Sequence, residues 1–106
     1  MPLSVEHSYQ PEDHTLIIRF DGEFRGVESH EFEQDILTEI RSSKATGVVC
    51  DLAKVTYIDS AAMEFLFKTA KTCKEAGQSF RLANPRDNIR KLFEILRVER
   101  IIPIDH

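Results

Sequence analysis

The chain has 106 residues, of which 42% are hydrophobic and 30% are charged, and its formal net charge at pH 7 is −4. This length and balance are typical of one globular domain with a single apolar core, so we predict one domain over residues 1–106 and no long disordered tract. The negative net charge argues against a protein that binds nucleic acid by following its phosphates.

The chain begins with a predicted β-hairpin. Residues 3–9 alternate between the two faces with a period of two, which is typical of a half-buried strand. Residues 10–14, QPEDH, have the composition of a turn, and residues 15–20, TLIIRF, are rich in β-branched side chains. We therefore predict that the two strands pair, and that Asp21-Gly22 ends the second.

A helix and a third strand follow the hairpin. The helix is predicted over residues 28–41, with Glu28 and Glu31 in its first turn, where negative charge favours the helix dipole. Its apolar stripe consists of Phe32, Ile36, Leu37 and Ile40. The short apolar run at residues 48–52 is typical of a strand in the middle of a sheet.

The second half of the chain predicts two more helices, each followed by a strand. One helix begins near Ser60 and ends at Gly77, a typical position for a C-terminal capping glycine, and a strand follows at residues 79–83. The predicted apolar stripe of this helix consists of Met63, Leu66, Phe67, Ala70 and Cys73. Asn84-Pro85 predicts the start of the last helix, and residues 101–104 predict the last strand.

The predicted order is β-β-α-β-α-β-α-β, which indicates an α/β protein. Strands that alternate with helices favour parallel crossovers, while the opening hairpin adds an antiparallel pair. We therefore expect a mixed sheet. Because each helix has a single apolar stripe and the first strand is half polar, the helices are expected to cover mainly one face of the sheet.

The sequence carries no motif of a common enzyme, cofactor or metal site. It has neither a glycine-rich dinucleotide or phosphate loop nor a G-x-S-x-G element, and it contains four glycines in total. Cys50 and Cys73 are far apart in apolar patterns, which predicts buried free thiols rather than zinc ligands. We therefore predict no catalytic residue, cofactor or metal, while an enzyme or small-ligand sensor stays open as an alternative without a motif to support it.

The predicted location is the cytoplasm. No apolar run approaches the roughly 20 residues that a membrane span needs. The first ten residues, MPLSVEHSYQ, lack the basic and apolar segments of a secretory signal. We expect neither nucleic acid nor a membrane as a partner.

The pair Asp59-Ser60 stands where an apolar run meets the second helix. Either residue can cap that helix, because both side chains accept hydrogen bonds from its first N–H groups. A helix N-terminus also favours anions, so a phosphate on Ser60 would gain donors there, although the Asp59 carboxylate would repel it. Ser60 is therefore a candidate modification site as well as a candidate cap.

Several segments together resemble the STAS domain, and in particular single-domain bacterial anti-sigma factor antagonists. The resemblance extends over nearly the whole chain. The segments that carry it are Gly22-Glu23-Phe24, Val48-Val49-Cys50-Asp51-Leu52, Val55-Thr56-Tyr57-Ile58-Asp59-Ser60, Lys74-Glu75-Ala76-Gly77 followed by residues 79–82, and the closing residues 88–96 and 100–104.

The resemblance implies a partner-switching role. In that family an anti-sigma factor that is also a serine kinase phosphorylates the serine after the motif's Asp, and a serine phosphatase reverses this. By position, the phosphoacceptor is Ser60, and the kinase, ATP and magnesium belong to the partner. This chain would then be a substrate and no enzyme, and either a monomer or a weak homodimer. The alternative is a STAS scaffold that is not phosphorylated, or a subunit of a larger signalling, biofilm or lipid-transport assembly.

The implied partner surface departs from the family pattern in charge and in glycine content. Arg25 stands where many members have Asp, and Ala62 and Glu64 replace glycines, which predicts a more rigid start of the helix. Arg97-Val98 also replaces a common G-[LI] pair. We expect the partner surface to consist of Arg25, Asp59, Ser60, Ala61, Ala62, Glu64 and Phe65.

Phe65 lies about 200° around the helix from Met63, off the predicted stripe. Two interpretations are open. Phe65 packs against a loop or is covered in a homodimer, or else it is an exposed anchor for the partner beside Ser60. The second interpretation predicts that Phe65→Ala weakens partner binding and barely alters the melting temperature.

Overall fold

The computed structural model describes residues 3–26 and 30–106. The helices and strands follow the predicted order: β1 Ser4–Gln10, β2 Thr15–Phe24, α1 His30–Ser42, β3 Gly47–Ile58, α2 Ser60–Glu75, β4 Ser79–Ala83, α3 Asp87–Leu96, a 3₁₀ turn Val98–Arg100, and β5 Ile104–Asp105. The α/β class and the order β-β-α-β-α-β-α-β are confirmed. The predicted first-turn charges, Glu28 and the side chain of Glu31, lie outside what the structure describes.

The strands form one five-stranded sheet in the order β1-β2-β3-β4-β5. β1 and β2 pair antiparallel, as the hairpin predicts, whereas the other three neighbouring pairs are parallel. Each parallel pair is joined by a crossover that contains a helix or a helical turn. The predicted mixed sheet is confirmed.

One face of the sheet carries the core, and the other face carries several charged residues. Neighbouring residues on β2, β3 and β4 are fully buried on the core face: Ile18, Cys50 and Leu82. Arg19 on β2 and Arg81 on β4 are chain neighbours of these residues and point the other way. The Arg19 Nε atom lies 3.6 Å from Asp51 Oδ2, and the Arg81 Nη1 atom lies 2.8 Å from Asp105 Oδ2. The buried hydrophobic residues of all three helices join the same apolar cluster, which confirms that the helices cover mainly one face.

Two strands are longer than the sequence predicts. β2 does not end at Asp21-Gly22 but runs to Phe24. Two shifts in its register with β3 keep the two strands paired beyond Gly22, which adopts a φ of 113°. β3 likewise joins both apolar runs into one strand of 12 residues that ends at Ile58. The paired extensions place Phe24 beside Ile58, immediately before Asp59 and Ser60.

β4 has its predicted bounds, but the last helix and the last strand begin later than predicted. Asn84 does not cap α3; it has a φ of 57°, and its side-chain amide donates to Asp51 Oδ1 at 3.3 Å. The helix starts at Asp87 instead. The 3₁₀ turn takes up residues 98–100, so that β5 starts only at Ile104.

In the described part of the chain, no helix is both long enough and apolar enough to cross a membrane.

Candidate functional site

Asp59, and not Ser60, is the N-cap of α2. The Asp59 backbone is extended, with φ −98° and ψ 177°, and its Oδ1 accepts a hydrogen bond from the N–H of Ala62 at 2.8 Å. The carbonyl oxygen of Asp59 accepts from the N–H of Met63 at 3.1 Å. Ser60 is therefore the first residue of the helix, and its hydroxyl is not used for capping.

Asp59 also ties the start of α2 to the end of β2. Its N–H donates to the carbonyl oxygen of Phe24 at 3.2 Å, and its Oδ1 accepts a second hydrogen bond from the N–H of Gly26 at 3.0 Å. Gly26 lies so close to the helix that an added Cβ would be 2.5 Å from the backbone carbon of Ala61. Gly26 is not among the site residues predicted from the sequence; the signal for it was a glycine directly after the predicted partner residue Arg25.

Ser60 is exposed at the tip of this junction. Asp59 takes up the N–H groups of Ala62 and Met63, whereas those of Ser60 and Ala61 find no acceptor within residues 3–26 and 30–106. Two donors at the positive end of the helix dipole thus lie next to the Ser60 hydroxyl. A phosphoryl group on that hydroxyl could accept hydrogen bonds from them without displacing the cap.

The predicted partner residues on α2 divide into an exposed set and a buried set. Ser60 and Glu64 are exposed one turn apart, and Ala61 is half-buried between them. Ala62 is fully buried and Phe65 is 3% exposed. Ala62 and Phe65 consequently offer no side-chain surface to a partner in this conformation.

The expectation that Phe65 is an exposed anchor is wrong. The centroid of its ring lies 6.1 Å from that of the Phe24 ring. The Phe24 ring in turn stacks on the Phe20 ring, with 4.7 Å between their centroids. The reason is that α2 contacts both the sheet and α1, so that its buried face is wider than one stripe. The buried positions on α2 are Ala62, Met63, Phe65, Leu66, Thr69, Thr72 and Cys73, with the predicted Phe67 and Ala70 partly buried at the margin.

Arg25 lies beside Asp59, because its two chain neighbours both hydrogen bond to that residue. Its guanidinium donates to Glu23 Oε2 at 3.0 Å and is 4.5 Å from the centre of the Tyr57 ring. These contacts hold a partly exposed cation next to the start of α2. The structure therefore brings Arg25, Asp59 and Ser60 together, as the resemblance implied.

A groove between α1 and α2 opens next to Ala61. It has a volume of about 430 Å³, and the charged or titratable side chains that line it are His30, Glu33, Glu64 and Lys68. Burial raises the pKa of the Glu33 carboxyl above its ordinary value; His30 and Lys68 oppose this shift, and the Asp59 carboxylate adds to it. This groove could not be predicted from the sequence, because the residues that line it come from two helices and from Gly26 after β2.

A model of the STAS domain family matches residues 7–106, which is nearly the whole chain. The chain belongs to the STAS domain family. Its fold is shared with a putative anti-sigma factor antagonist from Thermotoga maritima: the TM-score is 0.85 and the identity 19%, over 96% of this chain and 86% of that chain.

Two further anti-sigma factor antagonists share the STAS fold. For the one from Mycobacterium paratuberculosis, the TM-score is 0.83 and the identity 15%, over 98% of this chain and 86% of that chain. For SpoIIAA of Bacillus in its phosphorylated form, the TM-score is 0.72 and the identity is 16%, over 97% of this chain and 92% of that chain. At these sequence identities, the structural similarities show only that the fold is shared. This is the fold that the resemblance to STAS domains predicted.

The two cysteines of this STAS domain are free and buried, as predicted. Burial raises the pKa of both thiols, that of Cys73 to about 11, so neither is a thiolate at neutral pH. Within the described ranges, no group of three His, Cys, Asp or Glu side chains is arranged to hold a metal ion.

Proposed function

We propose that this STAS domain is a regulator like the anti-sigma factor antagonists, which binds an anti-sigma factor with serine kinase activity and is switched by reversible phosphorylation of Ser60. The observation that carries the proposal is the exposed Ser60 hydroxyl beside two helix N–H groups that find no acceptor among residues 3–26 and 30–106, on a helix that Asp59 already caps. The partner supplies ATP and magnesium, a serine phosphatase removes the phosphate, and the exchange takes place in the cytoplasm. The chain itself is a substrate and no enzyme.

The placement of the cap supports a switch that acts through charge. Asp59 Oδ1 already binds two N–H groups, so a phosphate on Ser60 does not have to replace it. The phosphate adds about −1.5 to −2 charges to a partner surface whose backbone stays in place. Repulsion of a partner group bound there, rather than unfolding of α2, is then what ends the complex.

Arg25 restricts the charge that the partner can carry on the group opposite it. Its guanidinium is held beside Asp59 by Glu23 and Tyr57, so it presents positive charge where many family members present a carboxylate. A basic side chain on the partner opposite this position would be repelled. We therefore infer that the partner carries an acidic or neutral group opposite Arg25, which distinguishes it from the usual kinase of the family.

The proposal predicts phosphate on Ser60 in the source cell. After incubation with ATP and a lysate of those cells, mass spectrometry should find a phosphate on the peptide that contains Ser60, and none in Ser60→Ala. Ser42→Ala is the matched control, since Ser42 is also exposed at a helix end and should leave the modification unchanged. Failure to find the phosphate under any growth condition would favour the unphosphorylated scaffold instead.

The same proposal predicts opposite effects of two Ser60 variants on partner capture. Ser60→Ala should keep the partner in a pull-down from native cells, because the hydroxyl is not part of the cap. Ser60→Asp should lower the affinity about tenfold or more, since it puts a carboxylate against a bound surface. Stronger capture by Ser60→Asp than by Ser60→Ala would contradict the switch.

A further inference from the structure

β1 is an edge strand with no neighbour on its outer side. The sheet order places β1 and β5 at the two edges, and within residues 3–26 and 30–106 β1 pairs with β2 alone. β5 has two residues, and a very short strand is one of the usual ways in which proteins protect an edge. β1 has seven residues, so it directs a much longer row of N–H and C=O groups outward.

The sequence of β1 lacks the features that keep other strands from pairing with an edge. The segment SVEHSYQ contains no proline and no lysine. Its pairing with β2 runs from Ser4 to Gln10 without the register shifts that interrupt the pairing of β2 with β3. A bulge would bend the strand, and a row of lysines would repel another strand. β1 is therefore a regular strand to which one more strand can be added.

Apolar side chains flank this edge on the face of the sheet that the helices cover. Val5 packs on the margin of the core, and Tyr9 is 42% exposed. On α1, the Glu39 carboxylate is paired with His7 of β1. Phe32 precedes Glu39 by about two turns on the same side of α1 and is 41% exposed, so it lies toward the same edge. The edge thus combines outward backbone groups with an apolar margin.

The residues of β1 are complementary to a second copy of β1. In a two-fold antiparallel pair one residue lies opposite itself, and an axis at His7 pairs all seven residues. Val5 then lies opposite Tyr9 of the other copy, a favourable pair of a β-branched and an aromatic side chain. Glu6 lies opposite Ser8, so that no carboxylates face each other. An axis at Glu6 would shorten the pairing and place two carboxylates opposite one another.

We propose that this protein forms a two-fold dimer through β1, in which the sheets of two copies join antiparallel with His7 at the axis. This assigns a surface to the homodimer that the resemblance leaves open. Each His7 keeps the Glu39 carboxylate of its own chain beside it, which limits repulsion between the two rings. Ser60 follows β3, which β2 separates from β1, so both Ser60 hydroxyls stay exposed. The dimer does not rest on the proposed function.

The contact is expected to be weak. One added strand and its apolar margin bury less than about 1,200 Å², the lower limit of most stable interfaces. We therefore expect a dissociation constant between about 10 µM and 1 mM. At about 1 µM the chain is then a monomer. Unfolding at that concentration reports on the monomer, so that a substitution at this edge, such as Phe32→Ala, leaves the measured stability nearly unchanged.

Two opposite charges at Ser8 test the dimer by sedimentation velocity of the isolated chain between about 1 µM and 1 mM. Ser8→Glu should weaken the association about tenfold or more, because it puts a carboxylate opposite Glu6 of the other copy at two symmetric positions. Ser8→Lys should associate at least as tightly as the wild type, since its ammonium group meets the same carboxylate. Ser79→Glu is the matched control, because Ser79 is exposed on β4, beyond β3 from the edge.

A cysteine at the axis tests the register. Residue 7 lies opposite itself with the two Cα atoms about 4.5–5.5 Å apart, a separation that a disulfide can span. With an added oxidant, His7→Cys should form linked dimers on a non-reducing gel. Gln10→Cys, at the end of β1 and opposite Ser4, should stay largely unlinked, as should the wild type with its buried cysteines.

Three outcomes would overturn the dimer through β1. They are a chain that stays monomeric up to about 1 mM, equal association of Ser8→Glu and Ser8→Lys, and equal linking of the two cysteine variants. Neither measurement involves a kinase or a phosphate. A failure of the dimer therefore leaves the Ser60 switch untouched, and a failure of the switch leaves the dimer untouched.

Discussion

Phe65→Ala should destabilise the domain by about 3–5 kcal/mol, which is the usual cost of removing a buried phenylalanine ring. The ring is 3% exposed and packs against Phe24, itself stacked on Phe20. Truncation thus opens a cavity where α2 meets the end of β2. For a domain of this size, each kcal/mol lowers the melting temperature by about 4–8 °C. Urea and thermal unfolding followed by circular dichroism measure both quantities.

Phe32→Ala is the matched control for this prediction. Phe32 carries the same side chain on α1 but is 41% exposed. Its truncation should change the stability by no more than about 0.5 kcal/mol, as at most surface positions. Equal effects of the two substitutions would contradict the buried position of Phe65. A small loss for Phe65→Ala together with weakened partner binding would restore the exposed-anchor interpretation.

Gly26→Ala should destabilise the domain by about 1–3 kcal/mol, the usual cost of forcing extra atoms into a packed site. The new Cβ would lie 2.5 Å from the backbone carbon and 2.6 Å from the Cβ of Ala61, and 2.6 Å from the backbone nitrogen of Ala62. The loop and the helix must move apart to admit it, which strains the hydrogen bond from the Gly26 N–H to Asp59 Oδ1. Urea unfolding measures the loss.

Two further variants separate this steric effect from other effects of glycine. Ala61→Gly in the Gly26→Ala background should restore little stability, because two of the three close atoms belong to the backbone. Gly77→Ala meets nothing within 4 Å and tests only the cost of a positive φ, here 72°, which is about 1–2 kcal/mol. Full rescue by Ala61→Gly, or a loss for Gly26→Ala no larger than for Gly77→Ala, would contradict the tight junction.

The tight junction has a consequence for signalling. Asp59 and Gly26 hold the start of α2 against the end of β2, and no glycine follows Ser60 within α2. A phosphate on Ser60 would therefore meet a start of the helix that cannot easily unwind. A partner would have to detect the modification as added charge and bulk. The ATP incubation and the paired Ser60 variants test this idea directly.

The amino-acid sequence determined the order of the elements and the place of the Asp59-Ser60 pair at the start of a helix. Alternation in β1 and the apolar stripe of α1 come from interactions between near neighbours in the chain, so they can be recognised by their periods. The Asp-Ser pair before α2 is also a local signal, since a cap needs only residues up to three positions away. The α/β class, the mixed sheet and the position of Ser60 at a helix start could be predicted for this reason.

Only the tertiary structure decided which residues are buried and which segments meet. Phe65 is buried because α2 lies against both the sheet and α1, and no pattern within α2 reveals the second contact. β2 and β3 exceed their predicted ends because pairing across strands outweighs the local preference of Asp21-Gly22 for a turn. Glu33 and Lys68 line one groove although 35 positions separate them, a proximity that arises only when the two helices pack together.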